Sequence, residues 1–128
     1  RLLEKHKNLI GIKDTHPVSR HSQKYINEIL PLYPSFAVYT GYDTNCVPVV
    51  ISGGAGCIGA LSNVYPKLCH DLVVALNEGN FNKIVEIQQK IDTYALFYEA
   101  YTPFNPLMKW ALREMGCSKK IVEFLFQN

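Results

Sequence analysis

The amine of Lys13 is the group in this sequence best suited to covalent chemistry. Leu9–Lys13 is a short apolar run of strand length that ends on this lysine. Because side chains alternate along a strand, Lys13 and Gly11 would share one face, whereas Ile12 would face the covering helices. A partly desolvated amine has a lowered pKa, so it can attack a keto acid and form a Schiff base. A solvated lysine at the end of a strand is the alternative interpretation.

Two further apolar segments end beside small or acidic residues. The segment "FAVYT", 36–40, is followed by Gly41, Tyr42 and Asp43, and the segment "CIGAL", 57–61, overlaps the small-residue run "GGAGCIGA", 53–60. In parallel β/α folds, catalytic groups collect at the carboxyl ends of the strands. Each of these positions also has an alternative to a role in a site. Asp43 is equally suited to capping the next helix, and Ile58 could be an ordinary residue of the apolar core.

Helical patterns separate these strands, and more helices follow them. The predicted helices cover 1–7, 20–30 after a capping Ser19, the short segment "CVPVVISGG", Pro66 to Gly79, 81–99 after a capping Asn80, and Thr102-Pro103 to Gly116. Fully apolar strands that alternate with helices indicate a parallel sheet covered on both faces. The sequence therefore predicts an α/β fold in one domain, with no linker.

Composition restricts the functional class. The 128 residues are 48% hydrophobic and carry a net charge of +2, which does not favour binding to nucleic acid or to an anionic membrane. No apolar stretch is long enough to span a membrane, and no signal-peptide core is present. The chain also lacks a starting Met, which is compatible with a start partway through a longer gene product.

The cysteines and histidines do not predict a metal site. Four cysteines lie apart from one another among apolar residues, so we expect buried thiols in a reducing, cytoplasmic compartment. Their spacing does not match a disulfide framework or a zinc site. The four histidines are interpreted as surface or capping residues, and His16, just beyond Lys13, is the one with some prospect of a site role.

Several segments resemble those of a known family. "NLIGIKDT", "YTGYD", "GGAGCIGALSNVYP", "ALNEGNFNKIVEIQQKI" and "TPFNPLMKWALREMG" are similar, in order and spacing, to segments of the dihydrodipicolinate synthase and N-acetylneuraminate lyase superfamily, the class I pyruvate-dependent aldolases. The resemblance covers nearly the whole chain. It implies that residues 1–128 form the C-terminal part of a (β/α)8 TIM barrel, strands six to eight, followed by C-terminal helices.

The resemblance also implies roles for particular residues. Lys13 would be the imine-forming lysine at the end of the sixth barrel strand. Gly41 and Asp43 would contact the variable part of the substrate, and Ile58 and Gly59 would lie against the bound keto acid. No metal or organic cofactor is implied, because the imine formed by Lys13 serves as the electron sink.

The resemblance leaves several functions open. "GIKDT", "GYD" and "TPF" look most like 2-keto-3-deoxygluconate aldolases, which implies cleavage of a 2-keto-3-deoxy sugar acid to pyruvate and an aldehyde. "NPLMKWALREMG" also looks like the synthase branch, so dihydrodipicolinate synthase activity is an alternative. N-acetylneuraminate lyase activity is a further alternative, although Thr44 and Ala60 stand where that lyase typically has Glu and Ser.

A complete (β/α)8 barrel needs about 250 residues, and the family's carboxylate-binding loop and its tyrosine have no match here. We therefore expect a homo-oligomer or association with a missing barrel half. The alternatives from another class are a non-catalytic fragment that binds a keto acid or a partner half, and a plain structural fragment with a surface lysine.

Overall fold

The computed structural model describes residues 2–100 and 103–117, apart from the side chain of Glu99. The chain divides into two compact units, Arg1–Ala60 and Leu61–Asn128. The first unit contains the sheet, and the second is helical in its described part. Thr102, predicted to start the last helix, lies outside the described residues.

The first unit is built on a three-stranded parallel sheet. Its strands are β1 (Gly11–Asp14), β2 (Ala37–Thr40) and β3 (Gly56–Cys57), in the order β1-β2-β3. Lys13 is in register with Tyr39, and Tyr39 is in register with Gly56. The predicted class, a partial α/β barrel with parallel strands, is confirmed.

Within the first unit, helices cover one face of this sheet, so the predicted cover on both faces is not found in this unit. They are α1 (Leu2–Lys5), α2 (Ser19–Ile29) and α3 (Cys46–Ile51), with a 3-10 turn at Asp43–Asn45 before α3. The core contains Ile26 of α2, Val38 of β2 and Val49 of α3, together with Phe36, and Ile12 packs against it. Apolar side chains of α2 and α3 are thus buried against alternate residues of the strands, whereas α1 contributes only the partly buried Leu3.

The strand boundaries differ from those predicted. β1 begins at Gly11 and includes Asp14, while Leu9 and Ile10 are exposed and precede it. The third strand, predicted over 57–61, is only Gly56–Cys57, because the regular hydrogen bonding with β2 does not continue to residue 61. Its next residue, Ile58, donates its N–H to Thr40 O at 2.8 Å, but the N–H of Ala60 turns to the Asp43 carboxylate.

Two details of the predicted helices are also corrected. Ser19 is the first residue of α2, and the N-cap is Val18, which makes no side-chain cap hydrogen bond. The N–H of Val18 instead donates to Nδ1 of His16 at 3.1 Å. Pro48 fits in α3 because it lies in the first turn, where a helix leaves its N–H groups without intrahelical partners.

The second unit contains two long helices and a shorter one. They are α4 (Pro66–Glu78), α5 (Phe81–Ala95) and α6 (Asn105–Glu114), with 3-10 turns at Leu61–Asn63 and Leu96–Glu99. α4 packs against α5 and the first of these turns. The predicted end of α4 at Gly79 (φ 64°) and the Asn80 cap, whose side chain accepts the N–H of Lys83 at 3.1 Å, are confirmed.

The last two predicted helices differ slightly at their ends. The helical segment predicted over 81–99 ends as α-helix at Ala95 and continues as the 3-10 turn. α6 begins at Asn105, and Gly116 follows it with φ 73°, the backbone conformation expected of a closing glycine. Among the described residues, no helix has both the length and the apolar character needed to cross a membrane.

Candidate active site

Lys13 lies on the face of the sheet opposite the helices. Ile12 and Asp14 share the helix-covered face with their partners on β2, Val38 and Thr40, which are both buried. Lys13 therefore points to the other face, as the alternation of strand side chains predicts. The lysine is the third of four residues in β1, so it precedes the strand end by one position.

The end of β2 lies directly against Lys13. A Cβ added to Gly41 would come within 2.9 Å of Lys13 Cε and would also collide with the side chain of Thr15. The Gly41 N–H donates to Asp14 O at 2.8 Å, which continues the ladder between β1 and β2. Gly41 is therefore a position where the backbone approaches the lysine side chain closely, and any larger residue would displace that side chain.

Asp43 connects the end of β2 to the end of β3. The residue is 6% exposed, and its carboxylate accepts the N–H of Ala60 at 3.1 Å and lies against Gly59, where a Cβ would overlap it. The interpretation of Asp43 as a helix cap is wrong. Asp43 begins a 3-10 turn whose N-cap is Tyr42, and the N-cap of α3 is Asn45; neither N-cap makes a side-chain hydrogen bond. The carboxylate instead fixes the position of the 59–60 backbone.

Ile58 is half exposed, at 49%, so the alternative of an ordinary core residue is wrong. Its backbone continues β3 beside Thr40, and its side chain offers an accessible apolar surface near the strand ends. The predicted site residues Lys13, Gly41, Asp43, Ile58 and Gly59 thus occupy the carboxyl ends of three adjacent strands.

Lys13 itself is exposed. The first unit does not provide the expected partial desolvation of its amine, because the helices of this unit cover the other face of the sheet. A low-dielectric environment for this amine would require additional protein over the Lys13 face.

The structure also contains a buried carboxylate that the sequence analysis did not identify. Asp14 is 8% exposed and accepts hydrogen bonds from Ser22 Oγ at 2.7 Å and from His21 Nδ1 at 2.9 Å. Burial raises the pKa of this carboxyl, but the hydrogen bonds from Ser22 and His21 and the nearby histidines outweigh burial and hold the pKa below its usual range. The alternation of side chains along β1 could have identified this residue, because it places Asp14 on the same buried face as Ile12. A charged group buried there requires hydrogen-bond partners.

The histidines near this carboxylate have more specific contacts than predicted. The ring of His16 stacks on that of His21 with centroids 4.4 Å apart, and the His21 ring packs edge-on against Tyr25. His21 is therefore a partner of Asp14 and not simply a surface residue. Asn45 adds a further connection, because its side-chain amide donates to the carbonyls of His16 and Pro17.

The thiols are free, but they are not all buried. Cys46 is buried, Cys57 and Cys69 are partly buried, and Cys117 is exposed, which corrects the prediction for Cys117. A hydrogen bond from Cys57 lowers the pKa of the Cys46 thiol and outweighs burial and the Asp43 charge, which both raise it. Within the described ranges, no group of three or more His, Cys, Asp or Glu side chains is placed to hold a metal ion.

Comparison with known proteins gives a consistent result. The model of the dihydrodipicolinate synthetase family matches residues 1–123. The Escherichia coli K12 protein named "Probable 2-dehydro-3-deoxy-D-pentonate aldolase YjhH" is 32% identical over 116 residues, which are 91% of this chain and 38% of that protein. The 4-hydroxy-tetrahydrodipicolinate synthase of Acidovorax sp. strain JS42 is 35% identical over 111 residues, 84% of this chain and 35% of that enzyme.

A solved structure shows the same similarity. YagE from E. coli K12, a prophage protein of the dihydrodipicolinic acid synthase family solved in complex with pyruvate, matches with a TM-score of 0.85 and 30% identity. The match covers 91% of this chain and 39% of YagE. The chain thus spans less than half the length of each of these relatives.

Proposed function

The chain belongs to the dihydrodipicolinate synthetase family, and we propose that it supplies the Schiff-base lysine of a pyruvate-dependent lyase. The observation that carries this proposal is the placement of Lys13 opposite the helix-covered face, with Gly41 against its side chain. The similarity to YagE, which was solved with pyruvate bound, supports a 2-keto acid as the ligand.

The proposed reaction uses Lys13 as a nucleophile. The neutral ε-amine attacks the C2 carbonyl of the keto acid, and the resulting carbinolamine loses water to give a protonated imine. In a 2-keto-3-deoxy sugar acid, the C4 hydroxyl then loses its proton and becomes the carbonyl of the released aldehyde. The C3–C4 bond breaks, and its electron pair forms an enamine with the imine carbon. Protonation at C3 and hydrolysis release pyruvate and restore the amine.

The other strand ends would shape the substrate site. We propose that Gly41 and Asp43 lie near the variable part of the substrate and that Ile58 and Gly59 lie against the keto acid. The exposed side chain of Ile58 offers an apolar surface suited to the C3 carbon. Asp43 would act mainly through the loop it holds, because its carboxylate already accepts the Ala60 N–H. We expect no further cofactor, since the imine itself accepts the electron pair.

Cleavage of a 2-keto-3-deoxy sugar acid is the reaction that we propose. Two E. coli relatives carry aldolase names of this kind: YjhH, at 32% identity, and YagE, which is 31% identical over 111 residues when the sequences are aligned without the structures. Synthase activity is the second candidate, because relatives at 35% identity are 4-hydroxy-tetrahydrodipicolinate synthases.

The exposure of Lys13 bears on how the site is completed. Within the described residues, the sheet has three strands, and both β1 and β3 pair on one side only. We propose that additional strands, from further sequence, a second copy or a partner, cover the Lys13 face and desolvate the amine. A non-catalytic keto-acid binder is the alternative if that cover brings no proton-transfer group.

Borohydride trapping tests the proposed function. The complete natural protein that carries this sequence is incubated with pyruvate and sodium borohydride, and the modified peptide is identified by mass spectrometry. We expect one reduced pyruvate on Lys13, loss of the adduct in Lys13→Ala, and an unchanged adduct in Lys24→Ala, which removes an exposed lysine from α2. Trapping that persists in Lys13→Ala, or that is absent from the folded wild-type protein, would refute the proposal.

A turnover assay distinguishes a lyase from a non-catalytic keto-acid binder when the protein traps pyruvate. A protein that traps pyruvate and also releases pyruvate from a 2-keto-3-deoxy sugar acid is the proposed lyase. A protein that traps pyruvate but cleaves no such acid and condenses no aldehyde with pyruvate is the non-catalytic binder.

A further inference from the structure

A buried carboxylate that the proposed chemistry does not use lies directly behind the reactive lysine. Asp14 follows Lys13 in β1 and points to the opposite face, where it is 8% exposed. Ser22 Oγ donates to it at 2.7 Å and His21 Nδ1 lies 2.9 Å from the same oxygen. Removing an ionised carboxylate from water is costly, so this group needs those partners, and they in turn restrict where Asp14 can lie.

The same residue is also held through its backbone. Asp14 O accepts the N–H of Gly41 at 2.8 Å, and Gly41 is the residue whose backbone lies against the Lys13 side chain. Asp14 therefore joins three parts of the first unit: the end of β1, the first turn of α2 through Ser22 and His21, and the residue that follows β2.

This connection matters because β1 is at the edge of the described sheet. Among the described residues, β1 pairs with β2 alone, so ladder hydrogen bonds restrain it from one side only. The Asp14 side chain supplies a second restraint, from the helix layer, one residue from Lys13. The direction of the Lys13 Cα–Cβ bond depends on the orientation of this short segment.

We propose that Asp14 is a positioning residue, which holds the end of β1 so that the Lys13 amine meets the keto-acid carbonyl in a reactive geometry. The inference rests on the proposed function, since it assigns Lys13 the nucleophilic step. Asp14 touches neither the amine nor the substrate and acts through the backbone. An error of about 1 Å in the placement of a reacting group can reduce a rate by about 100-fold, so a modest release of β1 has a measurable effect.

The test is the rate of borohydride trapping against pyruvate concentration in the complete natural protein. Asp14→Asn keeps the side-chain shape but removes the charge that both donors share. Ser22→Ala removes one hydrogen bond and keeps the carboxylate. We expect the maximal trapping rate to fall about tenfold in Asp14→Asn and about threefold in Ser22→Ala. The half-saturating pyruvate concentration should stay within about twofold in both, because a positioning residue for the nucleophile affects the chemical step.

A destabilised control separates positioning from a general loss of stability. Ile26→Val shortens a core side chain of α2 that is not a hydrogen-bond partner of Asp14, and it should lower the melting temperature with trapping unchanged. If folded Asp14→Asn traps pyruvate at the wild-type rate, or slows no more than Ile26→Val at equal melting temperature, Asp14 is not a positioning residue. That result leaves the proposed function intact, whereas a wild-type protein that never traps pyruvate overturns both.

Discussion

Replacing Gly59 with Ala tests whether the ends of β2 and β3 are held together by Asp43. A Cβ on Gly59 would occupy the position of the Asp43 carboxylate, so the carboxylate must move and lose its 3.1 Å hydrogen bond from Ala60. Overpacking typically costs about 1–3 kcal/mol, and a lost hydrogen bond to a charged group about 1.5–3 kcal/mol. Because one displacement causes both effects, we expect Gly59→Ala to lower the free energy of unfolding by about 3 kcal/mol.

A double-mutant cycle makes this prediction specific. Free energies of unfolding from urea titrations, followed by circular dichroism, are compared for Gly59→Ala, Asp43→Ala and the double variant. Asp43→Ala removes the carboxylate with which the new methyl group collides, so in that background Gly59→Ala should cost less than about 1 kcal/mol. Equal costs in the two backgrounds, or a cost below about 1 kcal/mol in the wild-type background, would refute the assigned contact between Gly59 and Asp43.

Three further predictions concern titratable groups. The folded-state pKa of Asp14 is lowered, so the ionised carboxylate stabilises the fold above the usual carboxyl pKa of 3.8, and this stabilisation is lost as the pH falls below that value. The urea concentration at the unfolding midpoint should therefore decrease at acid pH, and the decrease should be smaller in Asp14→Asn. Glu86, held near a pKa of about 2 by hydrogen bonds from Lys83 and Lys90, should titrate there by NMR and shift upward in high salt. Iodoacetamide should modify exposed Cys117 well before Cys46, whose burial limits access despite its lowered pKa; faster labelling of Cys46 would contradict its burial.

The fold and the main site geometry could be predicted because they depend on short-range patterns. Alternation along β1 correctly placed Ile12 toward the helices and Lys13 on the other face. Gly79 and Asn80 ended α4 and began α5 as predicted, since a left-handed glycine and an asparagine cap are local requirements. The resemblance of five segments to those of the dihydrodipicolinate synthase superfamily added the prediction that the three strands belong to a (β/α)8 barrel.

The remaining features depend on contacts between residues distant in the sequence. Asp43 is a plausible cap when only its neighbours in the sequence are considered. Its carboxylate instead accepts the N–H of Ala60, which is 17 residues further along the chain. Ser19 is not the cap because α2 begins one residue earlier than predicted, so Val18 takes the N-cap position and its N–H donates to His16 Nδ1. The exposure of Lys13 reflects the face left uncovered by the helices of the first unit, which no local pattern in the sequence reveals.

The register of the sheet has a consequence for how rapidly this part of the molecule can assemble. Gly11 and its partner Ala37 are 26 residues apart, and Tyr39 and Gly56 are 17 apart, so each pairing closes a loop of moderate length. Loop-closure entropy grows only slowly with length, and short sequence separations favour fast folding. Both strand pairings and the contact between Asp43 and Ala60 lie within the first 60 residues, so these strand ends can be brought together early, before contacts with more distant sequence are made.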